Sequence, residues 1–227
     1  RDTNRSFGSP VALCFYTYKS FYNDFIVVGD LSQNRCRVIE VIPSFSEDSI
    51  RAFLSKIDLG GIRAAIVDCN QVLCETVKDY VPNDRVMMDT DGLRYILREE
   101  FKNYIYKRLV KYQKTIRNAF LMKPDKQSTI TGKLSRKMRI LLKEDPELER
   151  LYDAYSSLYA LLQRHRDVSE VKQWMEVLGK EDSDHFLVTI TYIKMYYQEF
   201  ARFQSGVGQD DEESLYDEIY SLNREID

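Results

Sequence analysis

Histidine is almost missing from this chain: there are two in 227 residues, His165 and His185, each isolated. That scarcity argues against a zinc site, which needs four ligands at recognisable spacing, and against Ser-His-Asp or Cys-His nucleophilic chemistry. Cysteine is sparse as well. Cys14, Cys36, Cys69 and Cys74 make no disulfide framework in a chain of this size, and reduced intracellular thiols are expected. The nine glycines are scattered and build no phosphate-cradling loop. No apolar run approaches the roughly 18–20 residues that a membrane helix requires; residues 25–28, Phe-Ile-Val-Val, are only strand-sized. A cationic-then-apolar leader is missing too, so no signal peptide is expected. Nor is there an initiating methionine. Arg1 reads as a cut point, and an excerpt of a longer protein is the expectation.

What the chain does have is an ordinary globular composition, 44% apolar and 30% charged, with length for one or two domains. Net charge is −3, the balance of 33 basic and 36 acidic residues, but the charges are segregated. Residues 101–143 hold 13 Lys and Arg against Asp125 alone, whereas residues 209–227 hold eight acids against Arg224 alone. A basic middle and an acidic tail carry information that the sum hides.

Organisation changes along the chain. Residues 11–18, 24–29 and 36–43 read as three strands joined by short turns, an antiparallel meander. Ser46-Glu-Asp-Ser then opens a helix with Ile50, Phe53, Leu54 and Ile57 on one face. A fourth strand over 62–68, a short helix over 72–80 and a fifth strand over 85–88 complete a β-β-β-α-β-α-β order. Beyond Asp89 the pattern is helical: one long helix over 93–119, then 133–143, 147–164, 168–178 and 184–203. Trp174 with Tyr152, Tyr155, Tyr159, Tyr192, Tyr196 and Tyr197 reads as aromatic helix packing. Residues 206–214 read as a linker, and Leu215, Ile219, Leu222 and Ile226 repeat at helical spacing in the acidic tail.

Two carboxylates stand where chemistry is often placed. Asp68 ends a buried-type strand just before a helix, and Asp89 ends the next strand in the same manner. Either can be a catalytic or Mg²⁺-holding group, or a helix cap following a strand. Ile66-Val-Asp68, Val81-Pro-Asn83 and Arg85-Val-Met-Met-Asp89-Thr-Asp-Gly carry a resemblance, together with the meander ending in Asp30 and the helix Ser49-Ile-Arg-Ala-Phe-Leu. With Met138-Arg-Ile-Leu-Leu-Lys and Pro146-Glu-Leu-Glu-Arg-Leu-Tyr-Asp-Ala-Tyr downstream, residues 10–203 resemble bacterial insertion-sequence DDE transposases of the ISL class.

The resemblance implies an RNase H-like α/β fold, a mixed sheet followed or interrupted by a large helical region. It also implies Mg²⁺-dependent DNA strand cleavage and transfer, with Asp68 and Asp89 as catalytic residues and Asp68 as a metal ligand. Three departures qualify it. Alignment on Asp30 puts Cys14 where the family has its first metal carboxylate and Phe15 where a Glu follows. Asp-Arg-Phe-His is replaced by Asp89-Thr90-Asp91-Gly92, and no Gly-x-x-Glu-Gly-x-Asn stretch supplies a final Glu. Asp24 and Asp30 are the substitutes to consider for the first carboxylate, although Asp30 reads as an exposed turn residue. A neutral, soft thiol cannot replace a hard anionic ligand, so the expected state of the centre is disabled.

The basic stretch offers a second site. Lys107, Arg108, Lys111, Lys114 and Arg117 recur at helical steps with Tyr104, Tyr106 and Tyr112 interleaved, and Lys133, Arg136, Lys137 and Arg139 add a second cluster. Backbone phosphate binding needs this charge density and no sequence code. The expectation is therefore a cytoplasmic transposase-like protein that has lost catalysis, keeps DNA as its partner and can self-associate. The alternative is a helical protein-interaction module with no nucleic-acid role. The expected divisions are a disordered lead over 1–9, an RNase H-like sheet domain over 10–92, a helical insertion over 93–205 and an acidic tail over 206–227.

Overall fold

The computed structural model describes residues 9–19, 24–31, 37–122, 132–162, 168–177 and 183–205. The residue 1–8 part of the lead, the acidic tail with its apolar repeat, Cys36 and His165 lie outside them. The chain forms two compact units, one containing residues up to Asp89 and again from Tyr196, the other spanning Thr90–Met195.

The first unit is a five-stranded mixed sheet of order β3-β2-β1-β4-β5. Its strands are β1 (Ala12–Lys19), β2 (Asp24–Asp30), β3 (Arg37–Ile42), β4 (Ala64–Val67) and β5 (Val86–Met88). β1 pairs antiparallel with β2, and β2 with β3, as the meander predicts, while β4 and β5 run parallel to β1. Both faces of β1 are covered. Leu13 and Phe15 are fully buried, and Phe15 meets Phe53 of α1 (Glu47–Leu54) edge to face at 6.4 Å. The alternate residues Ala12 and Cys14 pack with Leu31, Ala64, Ile66, Met87 and Phe203, and Tyr16 joins this cluster. Ser46 caps α1 by accepting the Ser49 N–H, as the Ser-x-x-Ser pattern anticipates.

The helical unit contains α3 (Thr90–Arg108), α4 (Lys114–Phe120), α5 (Gly132–Glu144), α6 (Pro146–Leu161), α7 (Val168–Val177) and α8 (Leu187–Met195). Leu93, Leu97, Phe101 and Ile105, four residues apart, are fully buried along one face of α3. Phe101 stacks on Tyr155 of α6 at 4.3 Å, and Tyr152 meets Phe120 edge-on at 5.4 Å. Trp174 donates its indole N–H to Ala154 and Ser157. Tyr152, Tyr155, Tyr159 and Trp174 are buried here and Tyr196 is buried in the first unit, as the aromatic-packing reading expects, whereas Tyr192 and Tyr197 are only half-buried.

Two helices are shorter than the periodicity predicts. The expected 93–119 helix breaks after Arg108, and the chain re-enters helix at Lys114. Residues 101–122 hold six cations and no acid, so a continuous helix would stack like charges at three- and four-residue steps. The expected 184–203 helix is divided into a 3₁₀ turn (Ser183–Phe186), α8 and α9 (Tyr197–Ser205). The division falls at Tyr196, where the chain passes from one unit to the other. Grouped with the helical insertion by the sequence pattern, α9 instead packs on β5, placing Phe203 in the sheet core.

Candidate functional site

The parallel strands β1, β4 and β5 set the geometry of the sheet end. Asp68 follows β4, and its N–H still donates to Phe15 of β1 at 3.3 Å, as the next rung of the ladder would. Its side chain then takes over the following rung. Oδ2 accepts the Thr17 N–H at 2.6 Å and the Thr17 hydroxyl in a shorter contact. Asp89 follows β5, and its N–H donates to Val67 at 2.8 Å. Its carboxylate is completely buried, and Oδ2 accepts the Tyr16 hydroxyl at 3.4 Å. Consecutive β1 residues thus hold the two carboxylates, one each.

Asp68 is not where a simple capping account puts it, whereas Asp89 directly precedes Thr90, the first residue of α3, in the position of a cap. The cap of α2 (Gln71–Lys78) is Asn70, whose side chain accepts the Leu73 N–H at 3.0 Å. Asp68 is instead a strand-ending carboxylate on its parallel neighbour. Between the two acids lies Cys69, whose Sγ approaches the Asp89 carbonyl at 3.8 Å. Burial pushes the Cys69 thiol well above its ordinary range, and the carboxylates of Asp68 and Asp89 add to the effect, so no thiolate forms there at neutral pH. Burial likewise pushes Cys74 up to about 12.

Cys14 is in register with Ile66, two residues before Asp68 on the neighbouring strand. From a strand spacing of about 4.8 Å and a rise of about 3.3 Å per residue, its Cα lies about 8 Å from that of Asp68. Its Sγ is enclosed in the apolar cluster, 3.7 Å from the Gly29 carbonyl. The substitutes fare no better. Asp24 is exposed at the start of β2. Asp30, expected to be exposed, is buried and faces Arg37 at 3.6 Å, because the sheet continues to the last residue of β2.

One acid from beyond the helical unit escaped the sequence reading: Glu199 on α9, which packs on the sheet. It is buried and bridges Lys78 at 3.0 Å and Arg202 at 3.4 Å. Lys78 closes α2, whereas Asp68 precedes its start, and an eight-residue helix is about 12 Å long. Glu199 therefore docks α9 and does not join Asp68. Among the described residues no three His, Cys, Asp or Glu side chains are grouped to hold a metal ion. The Mg²⁺ chemistry implied by the resemblance needs anionic oxygen ligands that together hold two ions. A thiol in an apolar cluster and a wholly buried carboxylate beneath Tyr16 do not fit it, and Asp68, which commits Oδ2 to Thr17, brings only its buried Oδ1.

In the helical unit the predicted cations divide into two kinds. Arg108 is committed: it meets both Asp145 oxygens, at 2.7 and 2.8 Å, and Glu147 at 2.9 Å. Arg117 lies 4.5 Å over the Tyr106 ring. Lys107, Lys111 and Lys114 are exposed and make no ion pair with the described residues. Lys133, Arg136, Lys137 and Lys143 share the exposed side of α5 with Ile140, and none forms an ion pair among the described residues, while Met138 and Leu141 face inward. No helix among the described residues is long and apolar enough to cross a membrane.

No curated protein and no solved structure matches this chain. Residues 17–209 match a family model, that of the ISL3-type DDE transposases, described as Transposase.

Proposed function

Because the chain belongs to the ISL3-type family of DDE transposases, we propose that it is a catalytically degenerate, cytoplasmic member of that family which binds DNA through its helical unit. Transposition of DNA is the family's reaction, so DNA is the expected partner. The observation that carries the reading is how each set of charges is committed. Asp68 and Asp89, the acids available for chemistry, are held by Thr17 and Tyr16 of β1. Lys107 on α3, Lys111 on the α3–α4 turn, Lys114 on α4 and Lys133, Arg136 and Lys137 on α5 are exposed and make no ion pair with the described residues.

Phosphate contacts release counterions, so affinity for any duplex is expected to fall steeply with salt, by about 0.9 in log–log slope per contact. Calorimetry with Mg²⁺ and Mn²⁺ is the companion measurement. Wild type is expected to give no binding heat at the sheet end and no strand cleavage with either ion. Metal binding that disappears in Asp68→Asn would refute the degenerate reading. Salt-insensitive or undetectable duplex binding would refute the DNA reading.

A further inference from the structure

The turn between α3 and α4 is anchored at both ends and exposed throughout. Leu109 and Ile116 are buried, and all of residues 110–115 between them reach solvent. The Leu109 N–H donates to Ile105 at 2.9 Å, that of Tyr112 to Leu109 at 3.0 Å and that of Ile116 to Gln113 at 3.0 Å, so the tip is held by backbone bonds. It displays Val110 at 65% and Tyr112 at 40% exposure. These two alternate with Lys111 and are flanked by Lys107 and Lys114, all three exposed.

We propose that this tip is a DNA wedge: Val110 and Tyr112 enter between base steps of a duplex, while Lys107, Lys111 and Lys114 hold the phosphates on either side. The proposal rests on the reading of the helical unit as the DNA-binding part. Its distinguishing observation is the apolar pair. Phosphate contacts need only charge and give no reason for a bare valine and an open tyrosine ring among lysines. Partial unstacking by an apolar side chain, braced by neighbouring cations, needs this combination. The other tyrosines of the basic stretch are occupied. Tyr106 lies under Arg117 and donates its hydroxyl to Asn118 at 3.1 Å, and Tyr104 packs edge-on to His185 at 5.1 Å. A polyanion is the matching partner, because residues 101–122 contain no acid.

The test uses the full chain and short duplexes carrying 2-aminopurine at TA and CA steps, whose fluorescence rises on unstacking. Wild type should bind and raise the signal. The double variant Val110→Ser/Tyr112→Ala, altered only at exposed positions, should keep the wild-type melting temperature and salt slope, bind about fivefold or more weakly and lose the signal. A fluorescence rise that survives the double substitution overturns the wedge. Wild-type binding without any rise overturns it too, while leaving the DNA reading intact; absence of binding overturns both. If the substitutions abolish binding to phosphatidylserine vesicles and leave the duplex signal unchanged, the tip is a lipid contact and the proposal fails.

Discussion

In the sheet unit, the polar groups nearest to chemistry are turned inward: Asp89 is fully buried beneath Tyr16, and Asp68 completes the hydrogen bonding of β1 at Thr17. In the helical unit, Lys107, Lys111, Lys114, Lys133, Arg136 and Lys137 stand in water. A carboxylate oxygen that completes a strand contributes to folding and is poorly placed to hold an ion. A lysine without an acid beside it contributes little to folding and retains its charge for a partner. Family membership alone would assign catalysis to the first unit and support to the second. The proposed function reverses that emphasis, with the sheet as scaffold and the helices as the acting surface.

The most severe break of that contrast is Cys14→Asp. If the Cys14 position is now part of an apolar core, an unpaired carboxylate among Ala12, Ile66, Met87 and Phe203 should cost on the order of 3–5 kcal/mol. Denaturant unfolding would show the loss, and Mg²⁺ should not restore it. Recovery of stability with added Mg²⁺ would mean that a metal site lacking one ligand persists, since a ligand that binds only the folded state stabilises it.

Next in size is the effect on the helical surface. With a slope of about 0.9 per phosphate contact, replacing Lys133, Arg136 and Lys137 together by Ala should lower duplex affinity by about two orders of magnitude near 0.1 M salt. Stability should stay within about 0.5 kcal/mol of wild type, because all three are exposed. Anisotropy titrations at several salt concentrations give both slope and affinity. An unchanged slope would remove α5 from the interface. The complementary change, Asp68→Ala, strands the Thr17 N–H and hydroxyl and should cost about 1–3 kcal/mol while leaving duplex binding untouched. Asp68→Asn retains an acceptor oxygen for Thr17 and should cost less; thermal melts rank the two.

How much of this was open to sequence reasoning depends on the range of the interaction. The β-β-β-α-β-α-β order was legible because short apolar runs and turn residues punctuate it locally, and Asp68 and Asp89 were legible as strand-ending acids for the same reason. Their partners were not. Thr17 meets Asp68 across 51 positions, through a parallel register that no local pattern encodes. Consecutive hydroxyls at Tyr16 and Thr17, near the end of a buried strand, were the signal available. The α3–α4 break was hidden because Leu109 and Ile116 are seven residues apart and keep helical phase through the turn; the missing acids were the clue. Asp30 was misjudged as exposed because a turn follows it in sequence, whereas the sheet extends through it to Arg37. The return of α9 to the sheet was illegible, since Phe200 and Phe203 mark a buried face without saying what buries it.

Arg108 provides the finest division between committed and open cations, because the sequence pattern places it on the same basic face as Lys107 and Lys111. Its guanidinium holds the Asp145 carboxyl below the ordinary range, the largest of the effects acting on that group. A depressed folded value means stability that is fully present above the ordinary aspartate pKa of about 3.9 and lost as pH falls through the folded value. Both partners are partly exposed, at 41% and 24%, so solvent screening keeps the contribution below about 1 kcal/mol. Arg108→Ala should therefore lower stability slightly at neutral pH, and the gap from wild type should close as pH drops below the aspartate range. Its duplex salt slope should match wild type, whereas Lys111→Ala should reduce the slope by about one. Equal slope losses in the two variants would show that DNA draws Arg108 away from Asp145, and the line between structural and binding cations would then have to be redrawn at that residue.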